Sequence, residues 1–220
     1  MPDPAAPALP DTAVSFTSTV GGIVASRVRK LQHGVLNNRS AEVAALARLR
    51  RAAGKRPGEV PEVLQYTFAE EFVPTGTGDE ATPAELAAHL SLTLYALHQQ
   101  AVPARMHREG PGFRLGRSAR RLAPSELTTP PHPAVRRFQA LITSASTSEL
   151  AYHSRGLVQL LRSQRIPLDY GLLAQDLLRW QDPRRLERVR LAWGRDFYVR
   201  PPLTGDTGTS DATAVSDSKD

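Results

Sequence analysis

At 220 residues the chain has room for one large domain or two small ones, and its 28 basic against 22 acidic residues leave it at +6. The last eighteen residues, Leu203 to Asp220, hold four Asp and one Lys, so the rest of the chain carries about +9, a balance that points to a polyanionic partner. The complete lack of cysteine excludes disulfides, thiol catalysis and cysteine-based metal sites.

Residues 1–12, rich in Pro and Ala, are expected to form a disordered extension. Met1-Pro2-Asp3-Pro4 lacks the basic start and apolar centre of a signal peptide. The longest apolar runs fall well short of the ~20 residues of a membrane span, so the expected setting is cytoplasmic with no membrane partner. From there the pattern is repeatedly helical, with no sustained alternation of the strand type. Helices are expected near 15–36, 40–53, 61–72, 83–99, 115–123, 133–145, 148–164, 170–180 and 183–199.

Several helix starts are legible in the sequence. Thr82-Pro83-Ala84-Glu85 reads as a capping box with proline at the first helical position, and Ser146 with Glu149 reads as a second box. Asp169 precedes Tyr170, and Asp182-Pro183 opens the last helix. Leu173, Leu177 and Trp180 form one apolar stripe, and Leu186, Val189, Trp193 and Phe197 another, so these aromatics are expected in the core. The short connections 165–168 and 181 fold the last three helices back on one another. A proline-rich break, Thr128-Thr129-Pro130-Pro131-His132-Pro133, divides the chain. The expected fold is therefore all-α: about nine helices in two packed bundles, 13–128 and 129–200, without a sheet, followed by a disordered acidic tail, 201–220.

No catalytic or metal pattern emerges. None of the six histidines forms the His-Glu-x-x-His spacing of a zinc-protease helix, and there is no phosphate-binding Gly-x-x-x-x-Gly-Lys-Ser/Thr loop. Glu70 and Glu71 are adjacent on a helix, point apart, and read as a solvated face. No catalytic residue, metal or cofactor is expected.

The positive charge is clustered, and only three of the basic residues are lysines. Arginine presents a planar fork of five donors that suits phosphate. Arg48, Arg50, Arg51, Lys55 and Arg56 finish the second helix and enter the next loop, with Arg50 nearest the apolar side. Arg105, Arg108, Arg114, Arg117, Arg120 and Arg121 are set against a single acid, Glu109. The glycine-rich approach 110–116 leads into a helix whose free amides suit a phosphate. Arg136 and Arg137 flank the apolar face of Val135, Phe138, Leu141 and Ile142, and Arg155 and Arg162 lie seven apart on the polar side of their helix. Such contacts position a polymer without reading its sequence. The rival reading is a helical scaffold whose basic patches bind acidic protein surfaces.

Three segments carry a family resemblance: Phe113-Arg-Leu-Gly-Arg-Ser-Ala-Arg-Arg-Leu122; Val135-Arg-Arg-Phe-Gln-Ala-Leu141 with the helix that follows; and Ile166-Pro-Leu-Asp-Tyr170 through Leu177-Leu-Arg-Trp-Gln-Asp-Pro183 to Val189-Arg-Leu-Ala-Trp-Gly-Arg-Asp-Phe-Tyr198. Together they resemble the CasB family, the small subunit of the type I-E CRISPR surveillance complex called Cascade. The resemblance implies an all-α, non-catalytic protein present in two copies, head to tail, beside the backbone and large subunits. It implies stabilisation of an R-loop, in which guide RNA pairs with one DNA strand and the displaced non-target strand lies on a basic surface. By correspondence it points to Arg117 in the Leu-Gly-Arg motif, to Arg136 and Arg137, to Arg50 and Arg51, and to Arg155.

Overall fold

The computed structural model describes residues 11–124 and 131–199. Residues 1–10, the first half of the expected break (128–130) and the acidic tail lie outside these segments. Among the described residues there are nine α-helices and no strand; one isolated backbone bridge joins His107 to Leu168. The helices are α1 (Asp11–Leu36), α2 (Ser40–Arg51), α3 (Leu64–Thr67), α4 (Pro83–Gln99), α5 (Leu115–Arg120), α6 (Pro133–Ile142), α7 (Thr147–Ser163), α8 (Tyr170–Trp180) and α9 (Pro183–Tyr198).

The helix starts follow from the sequence as expected. Thr82 Oγ1 accepts from the Glu85 amide at 3.1 Å while Glu85 Oε2 accepts from the Thr82 amide at 2.8 Å, a complete capping box. Asp169 caps α8 by accepting from the Leu172 amide at 3.0 Å, and Asp182 caps α9 through the Arg184 amide at 3.0 Å. The second box is only half formed. Ser146 accepts from the Glu149 amide, but the Glu149 carboxylate accepts from the Ala145 amide, one residue further back.

The helix expected over 61–72 is interrupted. A 3-10 turn at Pro61–Val63 leads into α3, Phe68 and Ala69 are extended, and a second 3-10 turn follows at Glu70–Phe72. Arg27 of α1 accounts for the break. Its guanidinium donates to the carbonyls of Tyr66 at 3.0 Å and Phe68 at 2.6 Å and sits 5.7 Å from the centre of the Phe72 ring. A long-range donor thus satisfies carbonyls that the ended helix leaves open.

One apolar core runs through the whole described chain, from Val20, Val24 and Val28 of α1 to Val189, Trp193 and Phe197 of α9. α8 lies against both α1 and α4, and α7 packs on α4 and α6. α5, which precedes the proline-rich break, packs on α9, which follows it. Two close approaches need glycine. A Cβ on Gly171 of α8 would fall 2.9 Å from the Gly21 carbonyl of α1, and one on Gly116 of α5 would fall 2.4 Å from the Trp193 carbonyl of α9. Trp180, Trp193, Phe138 and Phe197 are buried, with Phe138 and Phe197 stacked at 4.1 Å between centroids.

Candidate nucleic-acid interface

The two groups of arginines meet different surroundings. In the 105–121 group, the packing of α5 on α9 aims two side chains inward. Arg114 places Nη2 3.2 Å from both carboxylate oxygens of Asp176 and Nε 3.5 Å from Asp196. Arg117 Nε lies 3.5 Å from the other oxygen of Asp196. Asp176 also accepts from Trp193 Nε1 at 2.9 Å and from Arg179 at 3.4 Å. The Arg114 and Arg117 side chains are only 25% and 15% exposed, which makes this cluster a clamp between α5, α8 and α9.

The rest of the group lies nearer the surface. Arg108 and Arg121 lie 4.8 and 5.1 Å from the centre of the Phe113 ring, a cation–π arrangement. Burial, with the neighbouring positive charges of Arg108 and Arg117, pushes the Arg121 pKa below its usual range. Arg120 donates to the carbonyls of Ala123 at 3.4 Å and Pro124 at 2.6 Å, and Arg105 is exposed. Glu109 pairs with Arg29 of α1. The phosphate seat expected from the amides of α5 is weak, because the helix is six residues long and has little dipole to offer.

In the other group, Arg137 and Arg155 meet at α7 beside the end of α2. Arg155 of α7 donates Nη1 to the Ala53 carbonyl at 3.3 Å, just beyond the end of α2. The approach is close enough that a Cβ on Gly54, whose φ is +87°, would lie 3.3 Å from the same nitrogen. One residue along α7, a Cβ on Gly156 would lie 2.9 Å from Arg137 Nη1, so the α6 guanidinium rests on the bare helix surface there. Arg137 and Arg155 thus form a row on α7 that leads to the end of α2, where Arg51 and Arg50 stand two and three residues before Ala53 in sequence. Among the described residues none of Arg50, Arg51, Arg136 and Arg137 is held in an ion pair. Arg51, Arg136 and Arg137 are exposed, and Arg50 is half-buried, in keeping with its position near the apolar side. Lys55 and Arg56 share one carboxylate, Glu59, at 3.8 and 3.9 Å. Arg48 leaves the group and donates to the Tyr66 hydroxyl at 3.1 Å.

Of the histidines, His89, His98 and His107 are buried. His98 Nδ1 is 2.9 Å from the Tyr170 hydroxyl, and burial, helped by the Arg162 charge, pushes its pKa down to about 3. Among the described residues no group of three or more His, Asp or Glu side chains could hold a metal ion. Among them, too, no helix is long and apolar enough to cross a membrane. Two features escaped the sequence reading. Arg27 is half-buried by contacts about forty residues away in sequence, and Tyr152 of α7 stands in solvent although Tyr95, Phe138, Tyr170, Trp180, Trp193 and Phe197 supply the core.

Residues 45–198 match the family model described as CRISPR-associated protein Cse2. A CRISPR-associated protein Cse2 from Thermus thermophilus is 30% identical over 163 residues, which cover 74% of this chain and 83% of that protein. The crystal structure of CasB from Thermobifida fusca superposes with a TM-score of 0.69 at 40% identity, covering 81% of this chain and 97% of that one. CasB from Thermus thermophilus gives a TM-score of 0.59 at 28% identity, with the same coverage. The all-helical architecture, the family match that runs from within α2 to the end of α9 and these likenesses agree, and the chain belongs to the CRISPR-associated Cse2 family, whose solved members also carry the name CasB.

Proposed function

We propose that this chain is the non-catalytic small subunit of a type I-E Cascade complex in the cytoplasm. There it stabilises the R-loop by holding the phosphates of the displaced non-target DNA strand. The observation that carries this reading is the row formed by Arg137 and Arg155 on α7, which leads to the end of α2 that carries Arg50 and Arg51. Exchange of a DNA duplex for an RNA–DNA duplex is nearly balanced in free energy, so a few backbone contacts to the displaced strand are enough to tip it. Contacts of this kind are indifferent to base sequence. Family membership supports the remaining partners: the guide RNA–DNA complex, the backbone and large subunits, and a second copy arranged head to tail. Arg105, Arg108, Arg120 and Arg121 offer a further basic surface, whereas Arg114 and Arg117 act by holding α5 to α8 and α9.

The test is the salt dependence of binding to a single-stranded oligonucleotide, followed by fluorescence anisotropy. Each lost phosphate contact lowers the slope of log K against log salt by about 0.7 for single strands. The triple variant Arg51→Ala, Arg137→Ala, Arg155→Ala is expected to bind more weakly across all sequences and to lose about 2 from that slope. An unchanged slope would overturn the assignment of this row.

A further inference from the structure

Tyr152 is 75% exposed, more than any other large hydrophobic residue among those described; Tyr198 is 43% exposed and Phe68 37%. A single exposed aromatic is ordinary on a protein surface. The neighbours of this one are not ordinary. On a helix, residues three and four apart are adjacent, with Cβ atoms about 5–6 Å from each other. Three residues beyond Tyr152 stands Arg155, which is anchored to the Ala53 carbonyl, and four residues beyond stands Gly156, over which the Arg137 guanidinium lies. The phenol ring thus shares a helix face with two of the cations in the row.

The contacts that Tyr152 does make leave its ring available. His153 meets it at 5.3 Å between centroids and 75° between planes, an edge contact that leaves the ring mostly in water. Glu149, one turn earlier, is the acid nearest in sequence, and its Oε2 is occupied by the Ala145 amide at 2.8 Å while its Oε1 lies 3.7 Å from His153 Nε2. Burying apolar surface is favourable, so a ring held out of the core beside arginines suits a ligand that is both flat and anionic. A nucleotide is such a ligand, with a π face and a phosphate joined by one sugar.

We infer that Tyr152 is a stacking platform for one unpaired base of the strand whose phosphates lie on Arg137 and Arg155, so that this face selects single-stranded over duplex nucleic acid. The inference rests on the proposed function and adds to it a reason for discrimination. Phosphate contacts alone do not separate one strand from two. Bases in a duplex are already stacked and paired, and a side chain on a helix surface does not reach their faces. An unpaired base offers its face freely, and every base has one, so stacking stays sequence-tolerant.

The experiment compares the full chain with Tyr152→Ala and Tyr152→Phe against three probes of equal length: a thymidine oligonucleotide, the same strand with abasic sites, and a blunt duplex. Tyr152→Ala is expected to lose about tenfold in affinity for the thymidine strand and nothing for the abasic strand or the duplex. Tyr152→Phe, which keeps the ring, retains full affinity. The inference is overturned by an equal loss on all three probes, by no loss on any, or by a Phe variant as weak as the Ala variant. A Tyr152→Ala protein with intact affinity that no longer associates with the other subunits overturns it as well and marks the ring as a protein contact. Failure of the arginine variants on every probe strikes the proposed function. Failure of Tyr152→Ala alone, with the arginine variants affected, strikes only the stacking platform.

Discussion

Arg155 Nη1 donates to the Ala53 carbonyl at 3.3 Å, so a side chain of α7 closes the end of α2 across 102 residues of sequence. The same guanidinium has further donors in its planar fork. Arg155→Lys keeps the charge but loses the planar fork that reaches two acceptors in fixed directions. We expect it to leave the salt slope of oligonucleotide binding nearly unchanged while weakening affinity several-fold; titrations at three salt concentrations measure both.

The clamp around Asp196 belongs to stability rather than to binding. Asp196 is fully buried and faces Arg114 and Arg117. Removing one member of a buried charge cluster strands the others, at a cost of about 3 kcal/mol. Asp196→Ala should lower the urea midpoint accordingly while the folded fraction retains its affinity for single-stranded DNA. A variant of normal stability would show that the clamp contributes little.

Gly116→Ala tests the contact between α5 and α9 by a different route. The added methyl meets the Trp193 carbonyl at 2.4 Å, and backbone on both sides leaves little room to yield. Overpacking of this kind costs about 1–3 kcal/mol. Thermal unfolding followed by circular dichroism should show the loss. Gly194→Ala, where nothing lies within 4 Å of the added carbon, serves as the control and should leave Tm unchanged or raise it.

Acid should destabilise the fold through His98. The unfolded chain binds a proton at this imidazole below its usual 6.5, whereas the folded chain does so only near 3, because the ring is buried. Stability is therefore complete above pH 6.5 and falls as the pH drops through that window, by about 2 kcal/mol at pH 5 from this group alone. Chemical unfolding at pH 7 and pH 5 measures the difference, and His98→Gln should flatten it.

How much of this was legible in the sequence follows from the range of the interactions. Thr82, Asp169 and Asp182 announce helix starts because a cap reaches only two or three residues ahead, and all three act as expected. The interruption between Thr67 and Glu70 was hidden because its cause, Arg27, sits about forty residues upstream. The arginines of 105–121 look alike in sequence. What separates Arg114 and Arg117 from Arg105 is a pair of carboxylates at 176 and 196 that only the folded chain brings near. Two of the stretches that carry the family resemblance, Leu115-Gly116-Arg117 and Trp193-Gly194-Arg195, are packed against each other at Gly116 and Trp193.

The packing of α8 on α1 and of α5 on α9 sets the order in which the protein can be made. Synthesis delivers α1 first, and its partner α8 only when most of the chain has emerged. Gly21 and Gly171, which approach each other in the finished fold, are about 150 residues apart in sequence. α1, α2 and α4 also pack on one another, but the parts of α1, α4 and α5 that α8 and α9 cover stay open until those helices arrive. A ribosome that stalls at the proline-rich break leaves behind a product with those faces still uncovered, a substrate for chaperones and proteases rather than half a working protein.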